Sequence, residues 1–143
     1  MKTFIGSILL IYLYAATSAA CPNLNGKFGR KDGAYYQYSQ TGCDKIAAQF
    51  CYDKSNCSQK WDIIPDGKAT NCTNLDCRSY EFVANALVMK NTASWSIPHG
   101  VATCEFNETY FEINAGNDLV ISHIGKCSDG FNGKFQSEIQ KRF

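Results

Sequence analysis

Eight cysteines are the strongest constraint on how this 143-residue chain can fold. Structural zinc sites usually space their ligands as C-x-x-C, whereas the shortest intervals here, Cys51 to Cys57 and Cys72 to Cys77, are longer. The even number instead predicts disulfides, which persist in oxidising compartments. Paired cysteines are not available as nucleophiles or ligands, so the sequence predicts no metal site and no cofactor. The eight positions are Cys21, Cys43, Cys51, Cys57, Cys72, Cys77, Cys104 and Cys127.

The first twenty residues predict an export signal. Lys2 precedes an apolar stretch over 4–16, and small residues fill 17–20 before Cys21. That order is typical of a cleaved signal peptide, and the apolar stretch is too short for a membrane span. We therefore expect a secreted or periplasmic protein with a single domain over 21–143. Lipidation of Cys21 is the alternative, but Ser18 stands where a lipobox carries an aliphatic residue, and lipidation would leave an odd number of thiols.

The charge balance argues against highly charged partners. The formal net charge is +1, and removal of Lys2 with the leader leaves 13 basic against 13 acidic side chains. A nucleic-acid groove needs an excess of cationic side chains, so no nucleic-acid partner is predicted. The remaining partner classes are a small hydrophobic ligand or an extracellular protein.

Apolar residues alternate with polar ones along most of the domain, which is typical of half-buried strands. Turn-forming residues separate these runs, for example at 32–33, 65–67 and 128–130. The pattern predicts an all-β fold, an antiparallel up-and-down barrel or sandwich stapled by disulfides. A helix over 79–90 is the local alternative. The predicted strands lie near 24–29, 34–40, 43–51, 59–64, 79–84, 86–90, 93–97, 101–106, 108–113, 118–124 and 131–141.

One disulfide follows from hairpin geometry. Residues 108–113 and 118–124 alternate as strands, and the turn-forming cluster Asn-Ala-Gly-Asn at 114–117 lies between them. If the strands fold about the centre of that cluster, Cys104 lies opposite Cys127, and the two are predicted to bond. Cys51–Cys57 and Cys72–Cys77 would each close a short polar loop, which leaves Cys21 to pair with Cys43.

The start of the domain resembles a known group of proteins. Its segment Cys-Pro-Asn-Leu-Asn-Gly-Lys-Phe over 21–28 is similar to the C-P-x-[LF]-x-G-x-[FY] opening of small exported bacterial proteins that resemble calycins. In lipocalins, a G-x-W strand is covered by an arginine from the last strand. The resemblance implies that Phe28 takes the place of that tryptophan and Arg142 that of the arginine. It also implies an up-and-down barrel with a ligand cavity.

No catalytic constellation stands out, so no catalytic residue is assigned. We expect a non-enzymatic barrel that binds a small, possibly apolar, ligand or a partner surface. Aromatic side chains suit such a cavity. The ligand-binding candidates are Tyr36, Tyr38, Trp61, Trp95 and Phe111.

Two alternatives stay open. Strand neighbours alternate sides, so either Tyr35 or the pair Tyr36 and Tyr38 must point outward, and an outward pair would suit an inhibitor or effector. A small secreted hydrolase would instead need His99 or His123 beside an acidic side chain.

Overall fold

The computed structural model describes residues 21–29, 33–70 and 72–143. The predicted leader over 1–20 and Asp32 of the first predicted turn lie outside these residues. Nine strands form within the described ranges: β1 (Gly26–Gly29), β2 (Tyr35–Thr41), β3 (Lys45–Cys51), β4 (Trp61–Ile63), β5 (Arg78–Val83), β6 (Ala86–His99), β7 (Ala102–Ile113), β8 (Leu119–Cys127) and β9 (Asn132–Arg142). No helix in this part of the chain is long and apolar enough to cross a membrane.

The strands form a nearly closed antiparallel barrel. Their order is β4-β3-β2-β1-β9-β8-β7-β6-β5, so consecutive strands pair with each other except β4 and β5, and β1 also pairs with β9. Between the edge strands β4 and β5, the connecting chain makes single bridges from Asp66 to Glu81 and from Thr70 to Arg78. The all-β up-and-down prediction is confirmed, and of its two forms the chain adopts the barrel.

Two local predictions are wrong, and the helix that was the alternative over 79–90 does not form. Residues 79–90 instead form the β5–β6 hairpin, in agreement with the predicted strands at 79–84 and 86–90, and its turn holds Ala84 at a φ of 52°. The segments 86–90 and 93–97 belong to one strand, and so do 101–106 and 108–113. Bulges explain these fusions, because the β6–β7 register shifts between Lys90 and Trp95 and the β7–β8 register shifts between Phe106 and Glu108. A bulge interrupts the alternation of side chains while backbone pairing continues.

All eight cysteines pair, and the bonds are Cys21–Cys43, Cys51–Cys57, Cys72–Cys77 and Cys104–Cys127. Cys104 lies opposite Cys127 as predicted, but the pairing of β7 with β8 close to the turn is not the one that was predicted. Near the turn Ile113 lies opposite Leu119, one residue out of the predicted phase, and the bulge at Asn107 restores that phase before the cysteines. None of the eight cysteines is available for thiol chemistry.

One end of the barrel is closed by the chain segment before β1. Leu24 in this segment is 1% exposed, and Phe28 on β1 is 0% exposed. The guanidinium carbon of Arg142 lies 5.0 Å from the Phe28 ring centroid, and its Nη2 donates hydrogen bonds to the carbonyls of Asn23 and Asn25. Leu24 is thus held against the interior, so a cavity inside the barrel has an apolar floor at this end.

Candidate ligand cavity

The strand register directs Tyr36 and Tyr38 into the barrel. Tyr36 lies opposite Phe28, and Tyr38 lies opposite Ala48, and both of these partners are fully buried. Residues paired across a ladder point to the same side of a sheet. Tyr35 lies on the other side of β2, where its ring makes an edge contact with Phe143 at 5.4 Å. The tyrosine pair therefore belongs to the interior, and an outward contact patch would have to use other residues.

A cavity of about 200 Å³ lies inside the barrel. Leu24 and Leu119 are among its aliphatic walls, and both are fully buried. For scale, an apolar protein cavity of about 150 Å³ accepts benzene. This space therefore suits a molecule of one or two fused rings. Its aromatic walls are Tyr36, Tyr38, Trp61, Tyr80 and Phe111.

The aromatic residues that line this cavity differ in solvent exposure, from the partly exposed Trp61 to the buried Tyr80. Trp61 is 37% exposed on the short edge strand β4, whereas Tyr80 on β5 is 7% exposed. Tyr36 and Tyr38 stack with ring centroids 6.1 Å apart and planes inclined by 10°. Flat, rigid faces of this kind pack against planar ligands with little loss of side-chain freedom.

Besides Tyr36 and Tyr38, whose rings also carry hydroxyls, the polar side chains that line this cavity include Arg78, Tyr80 and Gln140. Arg78 is partly exposed, stacks on Trp95 with its guanidinium carbon 4.6 Å from the ring, and has Nε 3.9 Å from Asp76. Burial raises the pKa of Tyr80, so its hydroxyl stays protonated at neutral pH. Gln140 is fully buried on β9, opposite Leu119. Neither its amide nitrogen nor its amide oxygen has a hydrogen-bond partner in the described part of the chain.

A second, more open cavity of about 480 Å³ adjoins the first. The two share the side chains of Met89, Phe111 and Ile121, which therefore form the wall between them. Trp95 lines only the second cavity, so it shares a cavity with Phe111 but not with Tyr36, Tyr38 or Trp61. Tyr36, Tyr38, Trp61 and Phe111 do line one common space.

His123 lies in the wall of the second cavity, in a hydrogen-bond relay. Its Nδ1 is 3.0 Å from Thr109 Oγ1, and its Nε2 is 2.8 Å from Ser137 Oγ. Ser137 Oγ is also placed to donate to the carbonyl of Ile121 at 3.2 Å. All three bonds are satisfied together when Thr109 donates to Nδ1 and Nε2–H donates to Ser137. In this arrangement the serine oxygen accepts a hydrogen bond from Nε2–H and its own proton is donated to the Ile121 carbonyl, so His123 is not placed as a base for this hydroxyl.

The hydrolase alternative needs a carboxylate beside one of the two histidines. Both ring nitrogens of His123 are instead occupied by hydroxyl groups. His99 is exposed, and its ring lies 5.2 Å from the Phe135 ring. Within the described residues, no group of three or more histidine, cysteine, aspartate or glutamate side chains could hold a metal ion. The polar groups that line the two cavities are hydroxyls, the Gln140 amide and the His123 ring, together with Arg78 in the smaller cavity and Glu138 in the larger one.

Burial lowers the pKa of His123, which predicts a pH-dependent stability. The unfolded histidine takes up a proton near pH 6.5, while the buried ring resists it, so this residue costs stability as pH falls below about 6.5. One such proton contributes a slope of at most about 1.4 kcal/mol per pH unit. Urea unfolding between pH 7.5 and 5 should therefore show a smaller loss in His123→Gln than in the wild type. The exposed His99 is the control, and an equally reduced loss in His99→Gln would contradict the assignment.

Several cavity residues could not be identified from the sequence. Strict alternation along β9 would place Ile139 on the same face as Phe135, but Ile139 is 45% exposed and Gln140 is fully buried. The cause is a register shift in which Ile121 pairs with Glu138 and Ser122 pairs with Gln136, which leaves Ser137 as an extra residue. A bulge of this kind carries no reliable sequence signature.

Taken together, these features define a class: a disulfide-stapled, nearly closed up-and-down barrel whose interior holds an aromatic-walled cavity. No family model, curated protein or solved structure matches this chain.

Proposed function

We propose that this protein is an exported, non-enzymatic barrel that binds a small, flat, largely apolar molecule in its interior. The observation that carries the proposal is the cavity of about 200 Å³ walled by Tyr36, Tyr38, Trp61 and Phe111. Buried concave sites lined by aromatic side chains with a few polar groups are typical of small-molecule binding. The four disulfides indicate an oxidising compartment, and release from the cell or into a periplasm is part of the proposal.

The barrel offers the means to hold such a ligand without a moving lid. Three disulfides restrain the segment before β1 and the loops that follow β3 and β4, the fourth joins β7 to β8, and Arg142 holds the segment that carries Leu24 under the cavity. A preformed site avoids the ordering cost that weakens binding to a flexible one. The partly exposed Trp61 lies at the solvent side, where a ligand could enter.

The two tryptophans give a direct test, because each reports on a different cavity. Trp61 lines the smaller cavity, and Trp95 lines the larger one. Their two indole N–H signals in a ¹⁵N–¹H correlation spectrum can be assigned with Trp61→Phe and Trp95→Phe. Titration with naphthalene should shift the Trp61 signal saturably and the Trp95 signal much less. A Trp61 signal that does not move up to the solubility of naphthalene would contradict the proposal.

A blocking variant supplies the control. Leu87 is 2% exposed and lines only the smaller of the two cavities. Leu87→Trp adds ring volume there, and we expect it to weaken naphthalene binding by at least about tenfold. Its near-ultraviolet circular dichroism and urea midpoint must show a folded barrel. A folded variant that still binds naphthalene as the wild type does would place the ligand elsewhere.

A further inference from the structure

Gln140 is a fully buried residue in the wall of the interior cavity, and its side-chain amide has unused hydrogen-bonding capacity. It is fully buried, its ladder pairing with Leu119 turns it inward, and it lines the same cavity as Tyr36 and Tyr38. Its amide nitrogen and amide oxygen lack partners among the described residues. Buried polar groups in folded proteins nearly always have a hydrogen-bond partner. Two buried polar atoms without one, in the wall of a cavity, therefore indicate a partner from outside the chain.

The chemistry of a primary amide defines the partner. Gln140 offers an N–H donor beside a C=O acceptor, and the matching group carries an acceptor beside a donor in one plane. Glutamine recognises the edge of a heterocyclic base by two parallel hydrogen bonds of this kind. The flat aromatic walls favour a planar ring on the same molecule. Its size is limited to about two fused rings by the 200 Å³ of space.

We propose that the barrel selects planar heteroaromatic lactams, which place a ring C=O next to a ring N–H, and that Gln140 is the residue that recognises this edge. This specificity rests on the proposed function, because it requires the same cavity to be occupied. Discrimination follows from burial: a ligand without the lactam edge would enter the site and leave the Gln140 amide unpaired.

Two probes of nearly equal shape test the preference. 2-Quinolinone carries the lactam edge on a fused bicyclic ring, and naphthalene has the same bicyclic shape without it. We expect wild-type protein to bind 2-quinolinone at least about tenfold more tightly than naphthalene, as measured by the Trp61 indole shift and by calorimetry. Gln140→Met keeps the length of the side chain and removes both polar atoms, so it should abolish the preference while naphthalene still binds.

Asn91 provides a matched control variant. It is 5% exposed, and both polar atoms of its side chain also lack partners in the described chain, but it lines neither cavity. Asn91→Leu should therefore keep the preference for 2-quinolinone. Loss of the preference in Asn91→Leu to the same extent as in Gln140→Met would overturn the role of Gln140.

A second comparison needs no variant and so does not depend on the folding of Gln140→Met. N-Methylation of 2-quinolinone removes its donor, whereas a methyl group at ring position 4 adds the same bulk and leaves the edge intact. The first change should weaken binding at least about tenfold more than the second. Equal binding of 2-quinolinone and naphthalene, or equal effects of the two methyl groups, would overturn the lactam specificity and leave the proposed function standing. Failure of both bicyclic probes to bind would overturn both.

Discussion

Gly125→Ala should destabilise the barrel by about 3 kcal/mol, because the added methyl group would overlap atoms of the facing strand β7. A Cβ on Gly125 would lie on top of the carbonyl oxygen of Glu105 and 2.9 Å from both the carbonyl carbon of Glu105 and the Cβ of Phe106. Two of these three atoms are backbone, which cannot swing away as the end of a long side chain can. The backbones of β7 and β8 would have to separate at this point.

The close approach at Gly125 results from the neighbouring bulge. Gly125 lies opposite Phe106, and the register shifts at the next residue, Asn107. A bulge bends its strand and increases the local twist, and glycine allows the facing backbone to come near. The same bulge brings Cys104 into register with Cys127, so Gly125 and the disulfide depend on one irregularity.

Urea unfolding of purified protein measures this effect, and a loss of about 3 kcal/mol corresponds to a fall of roughly 10 °C in the melting temperature. Gly116→Ala is the control, since the atom nearest to its added Cβ is the side-chain oxygen of Asn114 at 3.3 Å. We expect its free energy of unfolding to change by no more than about 0.5 kcal/mol. Similar small losses in both variants would show that β7 and β8 do not approach closely at Gly125.

The alternation of side chains was enough to predict the fold class, because period two extends over most of the domain. It also placed Tyr36, Tyr38 and Phe111 on strands, where inward-facing aromatic residues meet inside a barrel. What it could not predict was where the alternation changes phase. Each bulge adds residues on one strand only, so the face of every later residue depends on pairing with a distant segment.

Gln140 and Trp95 show the consequence for the site. The extra residue Ser137 turns Gln140 inward and Ile139 outward, which reverses the expectation from hydrophobicity. Between Lys90 and Trp95, β6 has more residues than the facing part of β7, and Trp95 lines the second cavity rather than the first. Cavity volume follows from these registers together, so no local feature of the sequence specifies it.

Phe28→Ala should cost about 4 kcal/mol of unfolding free energy, since deletion of a fully buried ring removes its apolar contacts and leaves a cavity. Phe28 is 0% exposed, contacts Tyr38 with ring centroids 5.9 Å apart, and lies opposite Arg142 where β1 pairs with β9. Phe131→Ala is the matched control, because that ring is 44% exposed, and it should cost less than about 1 kcal/mol. Equal losses in the two variants would contradict the closed end described for the barrel.

A double-mutant cycle separates the contact between Arg142 and the ring from the burial of the ring. Arg142→Met keeps an extended, apolar stem but removes the guanidinium that covers Phe28 and donates to the carbonyls of Asn23 and Asn25. The cation–π contact should appear as a coupling energy of about 1 kcal/mol between Phe28→Ala and Arg142→Met. Additive losses would mean that Arg142 stabilises this end through the two carbonyls alone. In either case Arg142→Met removes the hydrogen bonds that hold the segment carrying Leu24. It should therefore also weaken naphthalene binding, because Leu24 lines the proposed ligand cavity.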